Sequence, residues 1–126
     1  MSNRPTYANG KICYLEIPAT DVAHSANFYS ACFGWSIRAD YGGNTTFDDS
    51  VNQVSGMWVT GVSPMTEPGI TISIMVADAE ATSNLIVSNG GRILKKMAMD
   101  RGEIIIHFQD PAGNFMGLYQ GNELKE

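Results

Sequence analysis

Two side chains in this sequence have the chemistry to abstract a proton next to a carbonyl group, Glu16 and His107. A carboxylate set among aromatic rings loses hydration and becomes a stronger base, and an imidazole within reach can share or relay the proton. Residue type alone does not assign that role. A Glu near a strand end commonly accepts hydrogen bonds from a neighbouring loop, and a single His on a strand commonly packs at a core or rim. Five further residues, Tyr14, Gln53, Trp58, Phe115 and Tyr119, offer flat rings and one amide, a suitable lining for a small planar or aromatic ligand.

Strand alternation is what would gather these residues, because successive side chains leave a strand on opposite faces. Over residues 11–17, Cys13, Leu15 and Ile17 form the helix-facing set, which turns Ile12, Tyr14 and Glu16 the other way. Ile104, Ile106 and Phe108 form a buried stripe, leaving Ile105, His107 and Gln109 on the open face. Met116 and Leu118 pack under a helix and leave Phe115, Gly117 and Tyr119 open. Gln53 and Trp58, in a strand expected over 53–60, are further candidate wall residues.

The elements that carry these strands come in two copies. Shifting the chain by 57 residues lays Asp21 on Asp78, Phe28 on Leu85, Tyr29 on Ile86, Gly34 on Gly91, Gly56 on Gly113 and Trp58 on Phe115. In the first copy a strand over 11–17 stops at Pro18, and Asp21 caps a helix whose buried stripe is Val22, Ala26, Tyr29 and Phe33. Gly34 ends that helix, and strands follow over 35–39, 45–47 and 53–60. The second copy has a strand over 70–77, a helix from the Asp78 cap through Asn89 stopped by Gly90 and Gly91, and strands over 92–97, 103–109 and 115–119, with turns at 100–102 and 110–113. A βαβββ unit used twice, over about 10–62 and 69–121, makes one α+β domain in which each helix covers one face of a mixed sheet and the other face stays free.

The segment Glu16-Ile17-Pro18-Ala19-Thr20-Asp21, followed by Phe28-Tyr29 and Phe33-Gly34-Trp35, resembles the opening of vicinal oxygen chelate domains, and Asp110-Pro111-Ala112-Gly113-Asn114 resembles their closing DPxGN turn. The resemblance covers about residues 10–121 and points to the glyoxalase, bleomycin-resistance and extradiol dioxygenase fold, in its FGW-type glyoxalase-like subgroup. It implies a cup walled by the free sheet faces, and a homodimer. Metal-dependent relatives hold a divalent cation with four His, Glu or Gln ligands. Their positions fall here on Tyr14, Thr60, Ile72 and Gly117, which offer no such set, so neither metal nor any other cofactor is expected unless the motif register is misplaced. The leading expectation is therefore a protein that binds a small planar or aromatic molecule without the family metal. The alternatives are a lyase or isomerase of the glyoxalase I type and a non-catalytic regulatory module.

Composition bounds the partners. With 126 residues, 44% of them apolar and 17% charged, the chain is one soluble-type domain with a sizeable core. A net charge of −5 with only 8 Lys plus Arg argues against nucleic acid, and the cluster Arg92, Lys95, Lys96 and Arg101 is expected to be a solvated face, though it can touch an anion. No stretch is long and apolar enough for a membrane span or a signal core, so a cytoplasmic protein without a membrane partner is expected. Cys13 and Cys32 sit in apolar patterns and are expected to be buried thiols.

Overall fold

The computed structural model describes residues 4–99, 101–122 and 124. Its elements are β1 (Tyr14–Pro18), α1 (Val22–Phe33), β2 (Ser36–Ala39), β3 (Thr45–Asp48), β4 (Ser55–Val59), β5 (Ser73–Met75), α2 (Ala79–Ser88), β6 (Arg92–Ala98), β7 (Ile104–Gln109) and β8 (Phe115–Gln120). Asp100, expected in the turn before β7, lies outside the described residues. The fold is α+β, a βαβββ unit used twice, with two four-stranded mixed sheets ordered β1-β4-β3-β2 and β5-β8-β7-β6. In each sheet the first strand pairs parallel with the last, and the remaining pairs are antiparallel.

Local chemistry starts both helices in the same way. Asp21 and Asp78 adopt nearly identical extended backbones, φ −138° and −139°, and their carboxylates accept from the N–H groups of His24 and Ala81. Such caps contribute about 1 kcal/mol each. Gly34 closes α1 in the left-handed region, φ 72°, a conformation that costs other residues a steric clash. The first strand of each unit is shorter than the alternation suggests, beginning at Tyr14 and at Ser73, because each is an edge strand with one ladder partner. Pro18 closes β1 and not the loop after it. It needs no N–H at an edge, and its carbonyl accepts from Asn114 Nδ2 at 2.7 Å.

One core serves both units. Phe28 and Tyr29 are fully buried, as expected of the helix face, and α1 sets the rings of Phe28 and Phe33 at 6.2 and 6.0 Å from Phe108 on β7. The helix-covered faces of the two sheets thus share a single cluster, which leaves the opposite faces looking outward. Leu85, laid on Phe28 by the repeat, is 44% exposed: the Phe28 ring of α1 reaches Phe108 of the other unit, whereas α2 packs on the strands of its own unit. Cys32 is buried, but Cys13 is exposed. It precedes the paired part of β1, so its alternation never becomes burial.

The DPxGN turn fastens the units together. Asp110 is 3% exposed, and its Oδ1 accepts from the N–H groups of Ala112, Gly113 and Asn114 at 3.0, 3.1 and 2.9 Å. Its Oδ2 accepts from the Tyr29 hydroxyl at 2.8 Å and from Asn114 Nδ2 at 2.9 Å. Asn114 Oδ1 in turn accepts from the Met65 N–H in the connection between units. A buried carboxylate is tolerated because nearly every lone pair is satisfied. Burial, and then the Asp110 charge beside it, push the Tyr29 hydroxyl well above the ordinary tyrosine pKa. No helix among the described residues is long and apolar enough to cross a membrane.

Candidate functional site

Register assigns the open faces residue by residue. On the first sheet Tyr14 pairs with Ser55 and Glu16 with Met57, while Thr46 and Asp48 continue the same face across β3, and Arg38 on β2 pairs with Thr46. Arg38 grips Asp48 with two hydrogen bonds, 2.8 and 3.1 Å, and Ser55 Oγ donates to the same carboxylate at 2.6 Å. These donors hold the Asp48 carboxyl below its usual range, Arg38 contributing most. Tyr14 is 48% exposed and Glu16 is exposed, as their place opposite Leu15 and Ile17 requires.

On the second sheet a single cross-strand row runs Lys95, His107, Gly117, Ser73. Phe115 and Tyr119 flank it along β8, both half-buried, and the His107 ring lies 4.8 Å from the Phe115 ring. Ser73 leans its hydroxyl over Gly117, where a Cβ would come within 2.8 Å of Ser73 Oγ. Tyr119 donates to Glu103 Oε2 at 3.0 Å. The expected positions of Tyr14, Glu16, His107, Phe115 and Tyr119 on helix-free faces therefore agree with the register.

Two expected wall residues stand elsewhere. Trp58 is 2% exposed and points into the core beneath α1, its rings 5.9 Å from Tyr29 and 4.9 Å from Phe47. The 57-residue shift laid it on Phe115, but register equates Ile17 with Ile74, whose partners are Trp58 and Leu118. The offset has grown to 60 by the last strand, and an odd change exchanges the faces. Gln53 lies in the turn before β4. Its Oε1 accepts from the Thr6 N–H at 3.0 Å, so the amide tethers the N-terminal arm and lines no sheet face.

Glu16 and His107 stand on different sheets, and no hydrogen bond or ion pair joins them among the described residues. The principal cavities lie elsewhere. One of about 380 Å³ opens between the units among Leu15, Trp35, Phe47, Val54, Ile72 and Ile74, and none of the principal cavities contains Tyr14, Glu16, His107, Phe115 or Tyr119.

Residues 11–117 match the sequence profile of the Glyoxalase/Bleomycin resistance protein/Dioxygenase superfamily. The chain belongs to that superfamily. A glyoxylase-like domain-containing protein of Didymella fabae is 34% identical over 94 residues, 68% of this chain and 73% of that protein. Among solved structures, the fosfomycin resistance protein FosX of Listeria monocytogenes superposes with a TM-score of 0.75 at 13% identity, over 92% of this chain and 94% of that one. A superfamily member from Sphaerobacter thermophilus gives 0.71 at 19%, over 89% and 98%. At such identities the likeness is one of fold alone.

The superfamily fold implies a divalent cation in its metal-dependent members, and the donor set here does not fit one. Two of the positions counted from the motifs require correction. Ile72 turns its side chain to the core and uses only its carbonyl, which accepts from the Gly117 N–H. The same offset of 60 makes Met57 the counterpart of Gly117, in place of Thr60, and Thr71 stands opposite Tyr14 in the repeat. Tyr14, Met57, Thr71 and Gly117 still supply no imidazole or carboxylate. Among the described residues no three His, Cys, Asp or Glu side chains cluster closely enough to share a metal.

Proposed function

We propose that this superfamily member binds a small planar or aromatic molecule on its open sheet faces, without a metal. The observation that carries the reading is the group on the open face of β7 and β8: the half-buried Phe115 and Tyr119 rings on either side of Gly117, whose side-chain space Ser73 and Thr71 fill, with His107 as their polar neighbour. Flat apolar surface with a few fixed polar groups is what such ligands require. Acid–base chemistry by Glu16 and His107 gains no support within one chain, since they lie on separate sheets. The shared core turns both open faces outward, which favours a homodimer in which the face of one copy completes a cup with the face of another.

Thermal shift and saturation-transfer NMR with a panel of planar aromatic compounds test the reading. Hits are expected in the wild type and are expected to be lost in Phe115→Ala, with sedimentation giving a dimer and elemental analysis giving substoichiometric metal. No hit in the panel would replace this reading with that of a module whose faces serve only assembly. Turnover of a hemithioacetal with one metal per chain would replace it with the lyase.

A further inference from the structure

We propose that a β-bulge at Leu94 builds an anion-recognising pair, Arg92 and Lys95, on the open face of the second sheet, so that the ligand is a small planar molecule bearing a carboxylate, phosphate or phosphonate group. The inference rests on the binding reading above and narrows its ligand class. Arg92 pairs with Gln109 and Ile93 with Phe108, but Lys95, not Leu94, pairs with His107. Strict alternation would set Arg92 and Lys95 on opposite faces, being three residues apart. The extra residue brings both onto the open face, one on either side of the bulge, with backbone separation near the repeat of two strand residues, about 7 Å. Bulges that re-aim a side chain are common beside binding sites.

The alternation on either side of the bulge confirms the aim. Ile93 packs on the core, and Lys96 reaches over the helix face to Glu80 of α2, 2.8 Å away, leaving its neighbour Lys95 to the other side. The two faces also treat their cations differently. On the first sheet Arg38 is consumed by Asp48, whereas among the described residues no carboxylate lies within ion-pair distance of Arg92 or Lys95. In a chain of net charge −5 these two cations stand in adjacent rows of one face, Lys95 in line with His107, Gly117 and Ser73, and Arg92 in line with Gln109 and Phe115. An anionic group at Lys95 and Arg92 would leave a flat ring to lie against Phe115 and the His107 imidazole. Guanidinium and ammonium both donate well to such groups, Arg in a bidentate fork.

A matched pair of probes separates charge from shape: 2-naphthoate and 2-naphthamide, titrated into the full chain by calorimetry or NMR at low ionic strength. The acid is expected to bind about five- to tenfold more tightly than the amide. That preference is expected to shrink in about 0.5 M salt, where the screening length falls to about 4 Å. The double variant Arg92→Gln/Lys95→Gln is expected to bind both probes with the affinity wild type has for the amide, while Lys96→Gln keeps the preference. Equal affinities in the wild type, or a preference that survives the double variant, would overturn the anion site and leave the aromatic-ligand reading standing. Binding of neither probe at millimolar concentration would count against both.

Discussion

Removing one oxygen tests how the two units are joined. Tyr29→Phe keeps the ring that stacks on Trp35 at 4.6 Å but deletes the donor to Asp110 Oδ2. A buried hydrogen bond to a charged acceptor contributes about 1.5–3 kcal/mol, so at pH 7 the variant is expected to be less stable by that amount. Its Tm should fall by roughly 5–15 °C. The pH dependence supplies a second, independent reading. Tyr29 has its pKa raised by burial and by Asp110, whereas in the unfolded chain it titrates near 10. A raised folded pKa means stability that is complete below pH 10 and is lost as pH climbs toward the folded value, because the unfolded chain releases the proton first. At pH 11 ionisation stabilises the unfolded wild type by about 1.4 kcal/mol, a gain Tyr29→Phe lacks. The gap between the two proteins should therefore narrow by that amount between pH 7 and pH 11, as measured by denaturant unfolding at both. Other tyrosines, lysines and Cys32 titrate in both proteins and cancel. An equal gap at the two pH values would refute the assignment of Tyr29 as a neutral buried donor.

Three further outcomes follow from packing and exposure. Trp58→Ala should cost about 3–5 kcal/mol of stability, as emptying an aromatic core position does; an unchanged denaturant midpoint would return the indole to the open face. Gly56→Ala should destabilise by about 3 kcal/mol, since a Cβ there collides with the Leu15 carbonyl and the Phe47 ring; wild-type stability in that variant would mean that both β1 and β3 can give way beside β4. With an aromatic disulfide reagent at pH 8 one of the two thiols should react in the native chain. Cys13 is exposed, whereas burial pushes Cys32 up to about 11 and keeps it protonated until unfolding. Two fast thiols would contradict the burial of Cys32.

The features legible in the sequence are those whose physics is local. Asp21 and Asp78 cap their helices because a short carboxylate reaches the free N–H groups three residues on, whatever the rest of the chain does. Ile104, Ile106 and Phe108 announce their face because three large apolar side chains at a period of two have no other stable place, and that places His107 by default. The DPxGN turn is legible as a turn, but not as the clasp it forms with Tyr29, Pro18 and Met65, since those partners lie far away in the chain.

Strand faces are legible only where the residue count is secure. The run Ser55-Gly56-Met57-Trp58-Val59 has no apolar stripe to declare its inward side, for Gly56 is small where the Phe47 ring lies over it. Its parity therefore had to come from the repeat, and the offset between the repeats changes by three residues before the last strand, carrying Trp58 to the wrong side. The Leu94 bulge is the same effect with an insertion of one. Along the sequence Lys95 and Lys96 are two members of one basic cluster, indistinguishable in type. The inserted residue sends Lys96 to Glu80 over the helix face and Lys95 to the row of His107, and only that difference separates a cation spent on a helix contact from one left for a ligand.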